Sequence, residues 1–193
     1  MTEAAPAEAT NHEDLSAWEA AALSGKLEAV FDKIQRERMA GIPILNSALR
    51  VASVGMQRLG PSWLSVLITP WFINVMLLPG SEAEAEAWAK TPIGTKITRA
   101  LPCGTFEFIA GSENGIGPYQ MCSLFSPVLE IQDQAAALAV AEASLTAVLD
   151  ESLHPDNQKK AAAAAAKEAA KDAARVSRRD LFSGLVKERG GQQ

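Results

Sequence analysis

The sequence predicts an α+β domain: a mainly antiparallel sheet flanked by helices, with an Ala-rich helical extension at its C-terminal end. Three observations carry that expectation. Two apolar runs, Trp63–Ile68 and Phe72–Leu78, lie between the turn signals Gly60-Pro61-Ser62 and Pro79-Gly80-Ser81. Unbroken runs of this kind suit strands buried on both faces, or on one face plus an interface. Thr105–Gly111 and Tyr119–Phe125 flank Asn114-Gly115, a pair that supplies the positive φ angles of a tight hairpin. Apolar residues at helical spacing bracket the sheet, with Leu23, Leu27, Val30, Phe31 and Ile34 before it and Ile131, Leu138, Leu145, Val148 and Leu149 after it.

The elements follow in chain order. Residues 1–23 are rich in Ala, Glu and Pro and are expected to be disordered. A helix over 24–39 ends at Gly41 and Pro43. A loosely alternating strand, Leu49–Met56, precedes the two apolar runs. Ser81 caps a short helix, Glu82–Ala89, whose first turns carry acids. A strand over 95–101 and the hairpin come next, then a helix over 130–150. Pro155 closes a folded domain of 24–153. Residues 154–176 hold the run Ala161–Ala166 and no large apolar residue before Val176, which predicts a solvated helical spacer of about 18 residues with roughly 27 Å of reach. Residues 177–193 form a basic tail.

Charge is divided unevenly. Residues 1–158 carry nine Lys/Arg against nineteen Asp/Glu, net −10, and residues 159–193 carry nine against four, net +5. An acidic body disfavours nucleic-acid binding. No stretch is apolar for long enough to predict membrane insertion. Met1–Trp18 lacks the basic and apolar regions of a secretory signal.

No catalytic set is found, and neither a metal nor another cofactor is expected. The two histidines, His12 and His154, fall in polar terminal or linker segments. With Asn114-Gly115 at the hairpin centre, Cys122 opposes about Glu107. Cys103 is then near 13 Å away, too far for a disulfide or a shared metal. Cys122 reads as a small buried residue, and Cys103 as a turn residue or an exposed thiol. Glu107 alternates with Phe106 and Phe108, so it lies on a solvated outer face or an acidic contact surface. Trp63, Trp71 and Phe72 pack a core or line a partner groove, since such aromatics dominate interface hot spots. That groove is expected beside the 105–125 hairpin, edged by Glu107 and Glu113. Ser177-Arg178-Arg179-Asp180-Leu181-Phe182 is similar to a twin-arginine export signal. It lies far from the N-terminus and lacks a following apolar stretch, so it is expected to mimic such a signal rather than direct transport.

Four segments in fixed order resemble the HybE/HoxT/HupJ family of [NiFe]-hydrogenase assembly chaperones. They are Thr69-Pro70-Trp71 with Leu78-Pro79-Gly80, Leu101-Pro102-Cys103-Gly104-Thr105, Cys122-Ser123-Leu124-Phe125-Ser126-Pro127, and Arg178-Arg179-Asp180-Leu181-Phe182. The resemblance implies a cytoplasmic, non-enzymatic chaperone. It would bind the precursor hydrogenase small subunit through its twin-arginine signal, the large subunit, or both, and delay export until cofactor loading. Rubredoxin-like accessory proteins are further implied partners. On this reading Trp63, Trp71, Phe72, Glu107, Glu113, Arg178, Arg179, Leu181 and Phe182 are the client-binding residues. The alternative is a redox or iron-handling accessory protein acting through Cys103 or Cys122.

Overall fold

The computed structural model describes residues 9–165 and 167. Helix α1 is Ala9–Arg38 and is followed by strands β1 (Ala52–Leu59), β2 (Ser62–Ile68) and β3 (Ile73–Leu78). Helix α2 (Glu82–Ala89), strands β4 (Lys96–Leu101), β5 (Gly104–Glu113) and β6 (Gly117–Phe125), and helix α3 (Gln134–Leu149) complete the order. The six strands form one sheet in the order β1-β2-β3-β6-β5-β4. The chain divides into two units. One holds the sheet and its three helices. The other joins Pro102–Gly104 to the segment from Asp150 onward, where a short 3-10 turn, Glu151–Leu153, leads into a helix over 155–165.

Sheet register sorts the apolar runs onto two faces. Every residue of β2 and β3 is buried, as the unbroken runs required. The cross-strand pairs Leu64↔Leu77, Val66↔Val75 and Ile68↔Ile73 form one set, and Trp63↔Leu78, Ser65↔Met76 and Leu67↔Asn74 the other. Leu27 and Phe31 of α1 close over the second set, in a core with Trp63, Leu67, Trp71, Met76, Leu78 and Tyr119. Helix α3 packs on β1 and β2, and α2 packs beside β6. The Ser81 hydroxyl caps α2 as expected, accepting from the Glu84 N–H at 3.2 Å.

Three details differ from expectation. Helix α1 begins at Ala9, inside the segment expected to be disordered through residue 23. Ala20–Ala22 favour helix, and Ala20 and Leu23 pack partly buried on the core. The first strand starts at Ala52 rather than Leu49, and its register shifts between Val54 and Gln57. Gly55 takes φ +63 there, and a Cβ on it would meet Leu145 at 2.1 Å. The hairpin pairs Glu113 with Gly117, which leaves a three-residue loop. The positive φ angles belong to Gly115 and Gly117, and Asn114 has none. Partners are thereby displaced by one residue, as in Ile109↔Met121, and a slip of one exchanges the faces. Cys122, paired with Val75 on the other side, therefore does not oppose Glu107.

Candidate functional site

The four-residue turn between β2 and β3 is built by one buried hydroxyl. Thr69 Oγ1 accepts from the Phe72 N–H at 2.9 Å and the Trp71 N–H at 3.3 Å, and it donates to the Phe72 carbonyl at 3.0 Å. Thr69 is fully buried, so these bonds satisfy groups that water cannot reach. At the far end of β3, Gly80 turns the chain into α2. A Cβ there would lie 2.0 Å from the Pro61 carbonyl oxygen. Glu84 ties the same corner, accepting from the Gly80 N–H at 2.9 Å and the Ser62 hydroxyl at 2.6 Å. Pro102-Cys103 forms the tight turn from β4 to β5, with Gly104 at φ +148.

The expected site residues separate into three places. Trp63 and Trp71 are core residues, 5% and 8% exposed. Phe72 is half-buried and meets Trp71 and Phe31 edge-on, with ring centroids 5.4 and 5.9 Å apart. Glu113 is at the hairpin end, in a 2.7 Å ion pair with Arg38 of α1. It also raises the neighbouring Tyr119 hydroxyl, which burial chiefly pushes up to about 12. Glu107 lies mid-strand on β5 in an exposed 2.8 Å pair with Lys96 of β4. That bond lifts the Lys96 ammonium above its ordinary range. Trp63 and Glu107 are not neighbours, because two strands, β3 and β6, lie between β2 and β5 in the sheet. The tail residues Arg178, Arg179, Leu181 and Phe182 lie outside the described residues.

A second group of residues, absent from the sequence reading, surrounds Glu107. Helix α1 lies over β1, β2, β3 and the Tyr119 end of β6, and Glu107, Ile109 and Ser123 on the remainder of that face are exposed. Ile109 pairs with Met121 on this face and is 37% exposed. Phe125 pairs with the buried Ile73 across a register shift, so it belongs to the opposite face from Ser123, where it is 45% exposed. Asn74, paired with Ser123, is 3% exposed, and its Oδ1 has no hydrogen-bond partner among the described residues. The result is an apolar strip of Phe72, Met121 and Ile109 with the Glu107 carboxylate beside it. Its signal in the sequence was Ile109 itself, an apolar residue on the acidic side of an alternating strand.

Burial raises the Cys122 thiol, with a further push from the charge of Glu107. Burial is also the largest cause raising Cys103. Among the described residues no three His, Cys, Asp or Glu side chains cluster to hold a metal. No described helix is long and apolar enough to cross a membrane.

Comparison with known proteins places this architecture. The solution structure of HybE from Escherichia coli matches with a TM-score of 0.53 at 23% identity, over 66% of this chain and 76% of that one, which shows a shared fold. The chain is 42% identical to protein HoxT of Cupriavidus necator over 123 residues, 60% of this chain and 69% of that protein. It is 34% identical over 131 residues to the hydrogenase expression/formation protein HupJ of Bradyrhizobium diazoefficiens, 68% of this chain and 74% of that protein. A model of the [NiFe]-hydrogenase assembly chaperone family HybE matches residues 22–184, and the chain belongs to that family.

Proposed function

We propose that this chain is a non-enzymatic, cytoplasmic chaperone that holds the precursor small subunit of a [NiFe]-hydrogenase through its twin-arginine signal, delaying export until cofactor loading is complete. The observation that carries this reading is the strip of sheet with Ile109 exposed beside Glu107. A twin-arginine signal is basic and then apolar, and this face offers a carboxylate and then apolar side chains. The Lys96–Glu107 pair is exposed, and such pairs are held weakly. A guanidinium, which grips a carboxylate through two parallel donors, can displace the lysine. The large subunit and rubredoxin-like accessory proteins are the further partners of this reading. The basic tail, through Arg178, Arg179, Leu181 and Phe182, competes for the same client contacts, so deleting residues 177–193 should tighten client binding.

The test is calorimetric titration of the full chain with a synthetic signal peptide, alongside a twin-lysine version. The twin-arginine peptide should bind and the twin-lysine peptide should bind at least several-fold more weakly. Equal binding of both, or of neither, rejects the reading. The thiol-based alternative is disfavoured by the raised Cys103 and Cys122 thiols, since thiol chemistry runs through the thiolate.

A further inference from the structure

A second recess lies at the other end of the sheet. It holds about 310 Å³ and is lined by Trp18, Glu19, Ala22, Leu23 and Lys26 of α1, with Arg58, Trp63, Pro79 and Gly80. Its floor is the Trp63 ring, over which the Arg58 guanidinium stacks at 4.2 Å. Arg58 is held in place. Its Nη1 donates to the carbonyls of Pro61 at 3.1 Å and Gly80 at 3.2 Å. The Gly80 position has no room for a Cβ, which would fall 2.0 Å from that same nitrogen. The other terminal nitrogen, Nη2, reaches only Glu19, at 4.0 Å. One edge of the guanidinium is therefore fixed and the other is free to receive an acceptor. Lys26 adds a second cation with no acid within 4.0 Å among the described residues.

Two features mark this recess as a contact surface. Nine bases face nineteen acids over residues 1–158, yet two of the nine converge here against the single acid Glu19. The rim is Trp18, whose ring is 70% exposed beside these two cations. Trp18 and Glu19 precede the segment matched by the family model, which starts at residue 22.

We infer that the Trp18–Arg58–Lys26 recess docks an acidic, apolar-flanked peptide segment of a partner protein. The carboxylate takes the free edge of Arg58 and the Lys26 ammonium in place of Glu19. The flanking apolar side chain packs between Trp18 and the Trp63 floor. Its electrostatic sense is opposite to that of the Glu107 face, so one chain can hold two chemically distinct partners at once.

The test uses the full chain and a capped pentapeptide alternating leucine with glutamate and aspartate, beside its glutamine/asparagine counterpart. Binding is read from the indole N–H resonances of Trp18 and Trp63. The acidic peptide should shift both, and Lys26→Glu and Trp18→Ala should each weaken it by about fivefold or more. Both residues are exposed, so these variants keep the fold even where Arg58→Gln loosens the Gly80 corner. Equal affinity for the uncharged counterpart, or shifts that spare both indoles, overturns the inference. So does self-association abolished by Trp18→Ala, which would assign the recess to a second copy of the chain.

Discussion

Replacing Ile109 by alanine separates a docking face from a merely exposed strand. Ile109 leaves 37% of its surface in water. Fully burying an isoleucine side chain contributes about 1.5–3 kcal/mol, so a client that covers the exposed part contributes roughly 1 kcal/mol, or about fivefold in Kd. The cost to the free chain is limited, because the vacated space opens to solvent and no sealed cavity forms. Calorimetry with a small-subunit signal peptide reads the first quantity and thermal melting of the free variant reads the second. The expected outcome is about fivefold weaker binding with melting displaced by a few degrees at most. Binding within twofold of the parent would refute the assignment of this face. A collapse in melting temperature would instead make Ile109 a structural residue.

Other variants report on neighbouring parts of the argument. Glu107→Lys combined with Glu113→Lys should weaken signal-peptide binding more at low salt than at high, and salt-independent affinity would remove both acids from the site. Thr69→Val strands the buried N–H groups of Trp71 and Phe72, so denaturant titration should show a loss of about 2–3 kcal/mol. Tyr119 is the single tyrosine of the chain, so its titration can be followed by absorbance. Its hydroxyl ionises near 12 in the fold and near 10 when unfolded, so its contribution is fully present below pH about 10 and is lost as pH rises toward 12. Tyr119→Phe should flatten the fall in denaturation midpoint across that window, and parallel pH profiles would count against a buried hydroxyl.

Much of the scaffold was legible in the sequence, for definite reasons. Trp63–Ile68 and Phe72–Leu78 read as buried strands because both faces are covered, and no alternation is needed to see that. Ser81 marked the start of α2 because its side chain caps the orphan N–H groups there. What failed was the assignment of faces. The extra residue in the hairpin loop moved every β5–β6 partner by one, and no local signal distinguishes Asn-Gly in a two-residue loop from Asn-Gly-Ile in a three-residue loop. Aromatic density around Trp63 and Trp71 could not tell core from groove, since both place large rings beside aliphatic strands. The start of α1 was missed because alanine and glutamate serve disorder and helix equally well. The helix was decided by tertiary packing of Ala20 and Leu23.

The residues that carry the family resemblance do a different task from those that furnish the surface. Thr69 holds a turn, Gly80 admits the Arg58 side chain and the Pro61 carbonyl, and Gly104 reverses the chain between β4 and β5. Each answers a constraint of backbone geometry or buried hydrogen bonding, and a substitution there is felt by the whole sheet. Ile109, Glu107 and Lys96 answer none of these: they stand on an open face where alternation fixes direction and leaves identity free. Client preference can therefore change along this strip while the turns stay fixed. The same logic applies to the opposite recess. Arg58 is anchored by the Gly80 corner, whereas Trp18 and Glu19 come from a helix extension that the sheet does not require. The anchored cation belongs to the scaffold, and the rim around it is free to vary with the partner.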